Sequence, residues 1–221
     1  MTPPMTDEQL FPLIRQKLFT AAIGDILDAM GFLHQFLPPA IVPLRNDMTI
    51  VGRAMPVLEE DGYRPGDQPF GLMLEALDNL KPNEVYIASG GSPRYALWGE
   101  LMSTRAMHLK AAGAIVDGFS RDTPGILKLN FPVFSRGRYA QDQGHRGKVV
   151  DYRLSIEIEG VWIAPGDLVF ADLDGILVVP KQAEQEAISR ALEKAAKENM
   201  VRAAIEKGMS TVEAFDRFGV M

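Results

Sequence analysis

The sequence predicts a single α/β domain with mixed sheet layers. Three observations carry this: short apolar runs such as VYIAS (85–89) and AIVDG (114–118) alternate with segments of helical period; the chain beyond Gly147 runs apolar between Gly and Asp turns; and helical patterns open and close it. With 221 residues and 47% hydrophobic content it has enough apolar material for one proper core.

The elements follow in order. From Thr6 to Gly31 the apolar residues Leu10, Leu13, Ile14 and Leu18, then Ile23, Ile26, Leu27 and Met30, recur at three and four, which predicts helix with Gly31 as its stop. FLPPAIVPL (36–44) carries three prolines and reads as an extended connection. MTIVGRAMPVL reads as a strand, with Pro56 marking an edge or a bulge near its end. Gln68 to Leu80 predicts a helix ended by KPNE, and VYIAS a buried strand. A helical face of Leu97, Leu101, Met102, Ala106 and Leu109 runs to Gly113, and AIVDG and FPVFSRG (131–137) are the next strands. KVVDYRLSIEIEG and VWIAPGDLVFADLDGILVVP read as hairpins, and helices are expected over 183–207 and 211–218. The first of these last two is long, charged and only moderately apolar. It suits either solvent or the surface of a neighbouring subunit.

Composition excludes several function classes. The net charge is −6 and the basic residues are scattered, so nucleic acid is not an expected partner. There is no cysteine, hence no disulfide framework, thiolate metal site or cysteine nucleophile. MTPPMTDEQL lacks the pattern of a signal peptide and no apolar run reaches membrane-helix length, so no membrane is expected and a cytoplasmic location is.

Two stretches can carry chemistry. In SGGSPRYALWGEL (89–101) glycines lie between a strand and a helix, where backbone can approach a ligand and the first-turn N–H groups can receive a carboxylate or oxyanion. It is neither GxGxxG nor a P-loop, and a purely structural turn is the competing reading. In VDGFSRDTP (116–124) Arg121 and Asp122 leave a strand at what should be the same sheet end, where ligands of α/β proteins settle. Arg121 can grip carboxylate or carbonyl oxygens and Asp122 can hold a hard divalent cation, which together suit an α-keto acid; a surface ion pair is the plainer alternative. His34, His108 and His145 show no metal-ligand spacing, Asp25 and Asp28 read as a solvated helix face, and Asp167, Asp172 and Asp174 as turn formers. Arg53, Glu59, Asp61 and Tyr63 read as a polar loop able to reach the distal part of a substrate.

Taken together, WGEL (98–101), AAGAIVDG (111–118), SRD (120–122), FPVFSRG and PGDLVFADLDGILVVP (165–180) resemble the RraA-like family, which includes 4-hydroxy-4-methyl-2-oxoglutarate and 4-carboxy-4-hydroxy-2-oxoadipate aldolases and regulators of ribonuclease E activity. The resemblance covers nearly the whole chain. It implies a swivelling β/β/α, phosphohistidine-domain-like αββα sandwich with terminal helices, residues 1–221 forming one domain and 183–221 a helical extension that contacts a neighbouring subunit in a trimer or hexamer.

It also implies a metal-dependent pyruvate aldolase with oxaloacetate decarboxylase activity. The family motif places an Asp twenty residues before Arg-Asp, and here Glu100 stands in that place. By resemblance Arg121 binds the pyruvyl oxygens and Asp122 ligates Mg²⁺ or Mn²⁺. Glu100 holds a metal-bound water, joined by Glu198 of a neighbouring subunit, and the backbone at Gly99, Glu100, Leu101 and Met102 receives the substrate carboxylate. A non-catalytic regulator that binds ribonuclease E or another protein is the alternative. Retention of Asp122 favours catalysis.

Overall fold

The structure is a computed structural model, and it describes residues 5–62 and 69–219. These group into two compact units, one made of residues up to Leu33 together with those from Gln182 onward, the other of His34–Lys181.

In the first unit α1 (Asp7–Lys17) and α2 (Thr20–Ala29) replace the continuous helix the sequence predicts. The apolar stripe steps by five residues from Leu18 to Ile23, which three- and four-residue spacing cannot keep on one face. Leu18 and Phe19 take extended backbone there and the chain restarts. The closing helices lie where expected, as α6 (Glu184–Glu206) and α7 (Thr211–Phe218). Ser210 caps α7 by accepting from the Glu213 amide at 3.2 Å, while Glu213 accepts from the Ser210 amide at 3.1 Å. The alanines of α6 (Ala187, Ala191, Ala195) are buried, and its Lys194 pairs with Asp25 of α2.

The second unit is built on a nine-stranded sheet. Its strands are β1 (Val42–Pro43), β2 (Ile50–Asp61), β3 (Phe70–Gly71), β4 (Glu84–Ser89), β6 (Gly113–Val116), β8 (Val133–Ser135), β9 (Gly147–Tyr152), β12 (Leu168–Ala171) and β13 (Ile176–Val179). Two small pairs stand apart: β5 (Ala96–Trp98) with β7 (Phe119–Ser120), parallel, and β10 (Ile156–Ile158) with β11 (Val161–Ile163), antiparallel. The helices between strands are α3 (Met73–Asp78), α4 (Glu100–His108) and α5 (Thr123–Leu129). The main order is β1-β8-β6-β4-β2-β12-β13, with β9 on the far half of β2 and β3 beside it. From β2 to β8 the neighbours run parallel, whereas β12 and β9 meet β2 antiparallel, so the layers are mixed as predicted.

Pro56 is a partial surprise. Its strand is central, flanked by β4 on one side and by β12 then β9 on the other. The proline sits where that second side changes partner, between the Ala54 amide, which donates to Asp167, and the start of the β9 pairing at Val57, so its missing N–H interrupts no ladder. A bulge does follow, between Leu58 and Glu59. β4 and β6 are buried almost throughout, which is why they read as continuous apolar runs.

Candidate functional site

The site forms around the small parallel pair β5–β7. The sequence places Leu97 in a helix, but Leu97 belongs to β5 and the helix begins after Gly99, so Glu100, Leu101 and Met102 are the first turn of α4. Their N–H groups are those that a helix leaves without an intrahelical acceptor. Arg121 and Asp122 directly follow β7, and the Arg121 amide donates to the Trp98 carbonyl at 2.9 Å, tying the two loops together.

A cavity of about 440 Å³ opens here, with Gly99, Leu101, Met102, Arg121 and Asp122 all on its wall. These residues of the two loops therefore converge, whereas Glu100 is not on the cavity wall and its side chain lies against Gly125. Asp122 takes the left-handed conformation (φ 56°), which Asp tolerates better than most residues, and Pro124 in the first turn of α5 favours helix immediately after. Its Oδ2 lies 3.5 Å from the Glu100 amide and 3.7 Å from Arg121 Nε. A Cβ on Gly99 would stand 2.9 Å from that oxygen, so only glycine leaves the carboxylate its place.

The Glu for Asp departure has a structural counterpart. A Cβ on Gly125 would lie 2.1 Å from Glu100 Cδ, so the longer side chain rests over a residue without one, in the helix that Asp122 begins. Asp142, which sequence reasoning did not pick out, forms an ion pair with Arg121, its Oδ1 lying 2.9 Å from Nη1, and also lines the cavity, as does Gln143. Its only sequence signal was the polar turn QDQGHRG (141–147) between two strands. Trp98 was likewise missed as a site residue. Fully buried, it packs on Tyr86 and Phe131 with ring centroids 5.0 and 6.1 Å away, and its indole donates to Ser103 at 2.7 Å, fixing the start of α4.

Other expectations sort differently. Glu198 lies on α6 in the first unit, 3.7 Å from Lys194. Arg53, Glu59 and Asp61 belong to β2 and not to a loop, and Glu59 is buried. Tyr63 lies outside the described residues. Asp61 accepts from the Ser92 amide, Arg94 and Tyr95; burial pushes its carboxyl up, but these donors outweigh it and hold it well below the usual range. Asp167 and Asp172 do form turns, accepting from Ala164 and Lys181 amides and from the Asp174 amide respectively.

The donor set can be tested against a divalent ion. Among the described residues no three acidic or histidine side chains group as a ready cage. Asp122 is instead the cavity-wall carboxylate that lies beside the helix amides, 3.5 Å from that of Glu100. That suits Mg²⁺ or Mn²⁺, which bind through one or two carboxylates and otherwise keep water and substrate oxygens.

A family model described as RraA-like, Aldolase/RraA, matches residues 20–178. The chain belongs to the RraA-like family. A Halalkalibacterium halodurans protein provisionally named 4-hydroxy-4-methyl-2-oxoglutarate aldolase is 31% identical over 198 residues, 89% of each chain. Protein DlpA of Legionella pneumophila is 30% identical over 213 residues, 95% of this chain but 34% of DlpA, so the chain spans about a third of that relative. The solved structure of RraAS2 from Streptomyces coelicolor, titled an unusual member of the RNase ES inhibitor RraA protein family, superposes with a TM-score of 0.79 over 91% of this chain and 99% of its own; at 24% identity it shows the mixed α/β fold alone. Among the described residues no helix is long and apolar enough to cross a membrane.

Proposed function

We propose that the chain is a divalent-metal-dependent carbon–carbon lyase that cleaves a 4-hydroxy-2-oxo acid to release pyruvate, with decarboxylation of oxaloacetate as a related reaction. The observation that carries this is the convergence of Arg121, Asp122 and the first turn of α4 on one cavity.

In this reading the substrate carboxylate lies at the amides of Glu100, Leu101 and Met102, where the helix dipole favours an anion. The Arg121 guanidinium, withdrawn in part from Asp142, takes the keto and carboxylate oxygens. Mg²⁺ or Mn²⁺ held by Asp122, with Glu100 and Glu198 reaching it through water, would supply Lewis-acid stabilisation of charge on the keto oxygen. The 4-hydroxyl gives up its proton through a water held by Glu100, and the C3–C4 bond breaks. Its electron pair passes into the enolate of pyruvate, whose charge Arg121 and the α4 amides meet. The enolate then regains a proton at C3, and the departing carbonyl fragment completes the balance. The same reading has copies assemble as a trimer or hexamer, each receiving Glu198 from a neighbour.

The test is pyruvate release from 4-hydroxy-4-methyl-2-oxoglutarate and from oxaloacetate as Mg²⁺ is titrated into chelator-treated protein. Activity should appear with metal, and Asp122→Asn should lower kcat/KM by about 100-fold or more. Absence of metal-dependent release from either acid would overturn the proposal and favour a non-catalytic binding role of the kind RraAS2's title names.

A further inference from the structure

Beneath the cavity lies a carboxyl group that the proposed reaction does not use. Glu59 sits on β2 immediately after the bulge, 3% exposed. Its Oε2 accepts from Gln143 Nε2 at 2.6 Å, and its Oε1 has no hydrogen-bond partner among the described residues. Gln143 is equally buried. Its carbonyl accepts from the amides of Arg146 and Gly147, which makes it the corner of the 141–147 turn. The next residue toward the site is Asp142, the partner of Arg121, and the Gln141 carbonyl accepts from the Ala96 amide of β5. One short segment thus joins Glu59 below to Arg121 above.

We propose that Glu59 is a positioning residue of the site: as a neutral carboxylic acid it holds Gln143, and through the 141–147 turn the Asp142–Arg121 pair, and loss of its proton loosens that turn.

The surroundings suit a neutral acid. The groups that sense its charge are the phenols of Tyr86 on β4 and Tyr95 just before β5, and the Tyr86 hydroxyl is itself buried without a partner among the described residues. Among the described residues the cations at this strand end are engaged by its other carboxylates: Lys148 on β9 lies 3.9 Å from Glu60, and Arg94 is 2.6 Å from Asp61. With a single amide donor and no cation paired to it among the described residues, an ionised Glu59 would leave one oxygen as an unsatisfied buried charge. Burial accordingly raises its carboxyl to about 8, against the opposing hydrogen bond from Gln143. A neutral acid, by contrast, is only a polar group with one good hydrogen bond, and the turn can close over it.

The role of Glu59 depends on the geometry of the site and not on the reaction, and the 141–147 turn reports it directly. Amide hydrogen exchange of peptides spanning 141–147, corrected for intrinsic rates, is measured from about pH 6 to 10 for the wild type and for Glu59→Gln. One-proton linkage predicts that wild-type protection there falls about tenfold per pH unit from about pH 6 to about 8 and levels off above that, while Glu59→Gln stays flat. Equal pH dependence in the two proteins, or none in the wild type, would overturn the proposal. Should the variant fail to fold, carbon NMR of carboxyl-labelled glutamate in the wild type decides: a carboxyl titrating near 8 supports it, and none titrating above about 6 overturns it. Lack of pyruvate release with this exchange pattern intact would count against the lyase and not against Glu59.

Discussion

Replacing Glu59 by Gln should stabilise the protein by an amount that grows with pH. The carboxyl is raised from an ordinary 4.5 to about 8 by burial, so across that window the folded protein keeps a proton that the unfolded chain has lost. More protons bound in the folded state means that stability falls as pH rises, by about 1.4 kcal/mol per pH unit, levelling off above about 8 where both states are ionised. The limiting penalty is roughly 5 kcal/mol, comparable with the roughly 5–15 kcal/mol that holds a typical domain folded. Gln keeps the shape and the acceptor for Gln143 but has no such proton to lose. Urea unfolding of both proteins at about pH 5.5, 7 and 8.5 measures the difference. The gap between them should widen with pH and reach several kcal/mol at the highest. A gap that does not change with pH would refute the reasoning, because it would mean that Glu59 binds its proton equally well folded and unfolded.

Three further outcomes are expected. Gly125→Ala should leave urea stability within about 1 kcal/mol, since the atoms it meets are the far end of the flexible Glu100, yet it should lower pyruvate release by displacing that carboxylate; adding Glu100→Asp should restore part of the loss. Trp98→Ala should cost about 3–5 kcal/mol in the same unfolding assay, because it empties the space between Tyr86 and Phe131 and frees Ser103 from its donor. Arg121→Lys should reduce kcat/KM for pyruvate release by about tenfold or more while leaving the melting temperature nearly unchanged, as a single ammonium cannot span two substrate oxygens and the side chain is partly exposed.

Much of the fold was legible because it rests on short-range patterning. The strands at 85–89 and 114–118 were visible as apolar runs, and a closing helix was expected over 211–218, where α7 lies. The break between α1 and α2 and the strand at Leu97 were not, because three or four apolar residues fit either period until neighbours choose between them. At the site, Arg121 and Asp122 stood out as an ionic pair after a buried strand, and the glycines before α4 marked a place for close approach. Asp142 and Gln143 carried no comparable mark. Their roles come from β8 and β9 returning the 141–147 turn to the mouth of the β5–β7 pair.

By itself, then, the order of residues determined an α/β chain, the two loops that bear charge and bare amides, and a composition with no thiol and no basic face. Tertiary structure alone decided that Glu100 lies over Gly125, that Arg121 is held by a residue twenty-one positions away, and that Glu59 is buried against the amide of Gln143. Side-chain periodicity is fixed by the local backbone and so can be read along the chain, whereas desolvation and pairing depend on which distant segments exclude water from a group, and no local pattern records that.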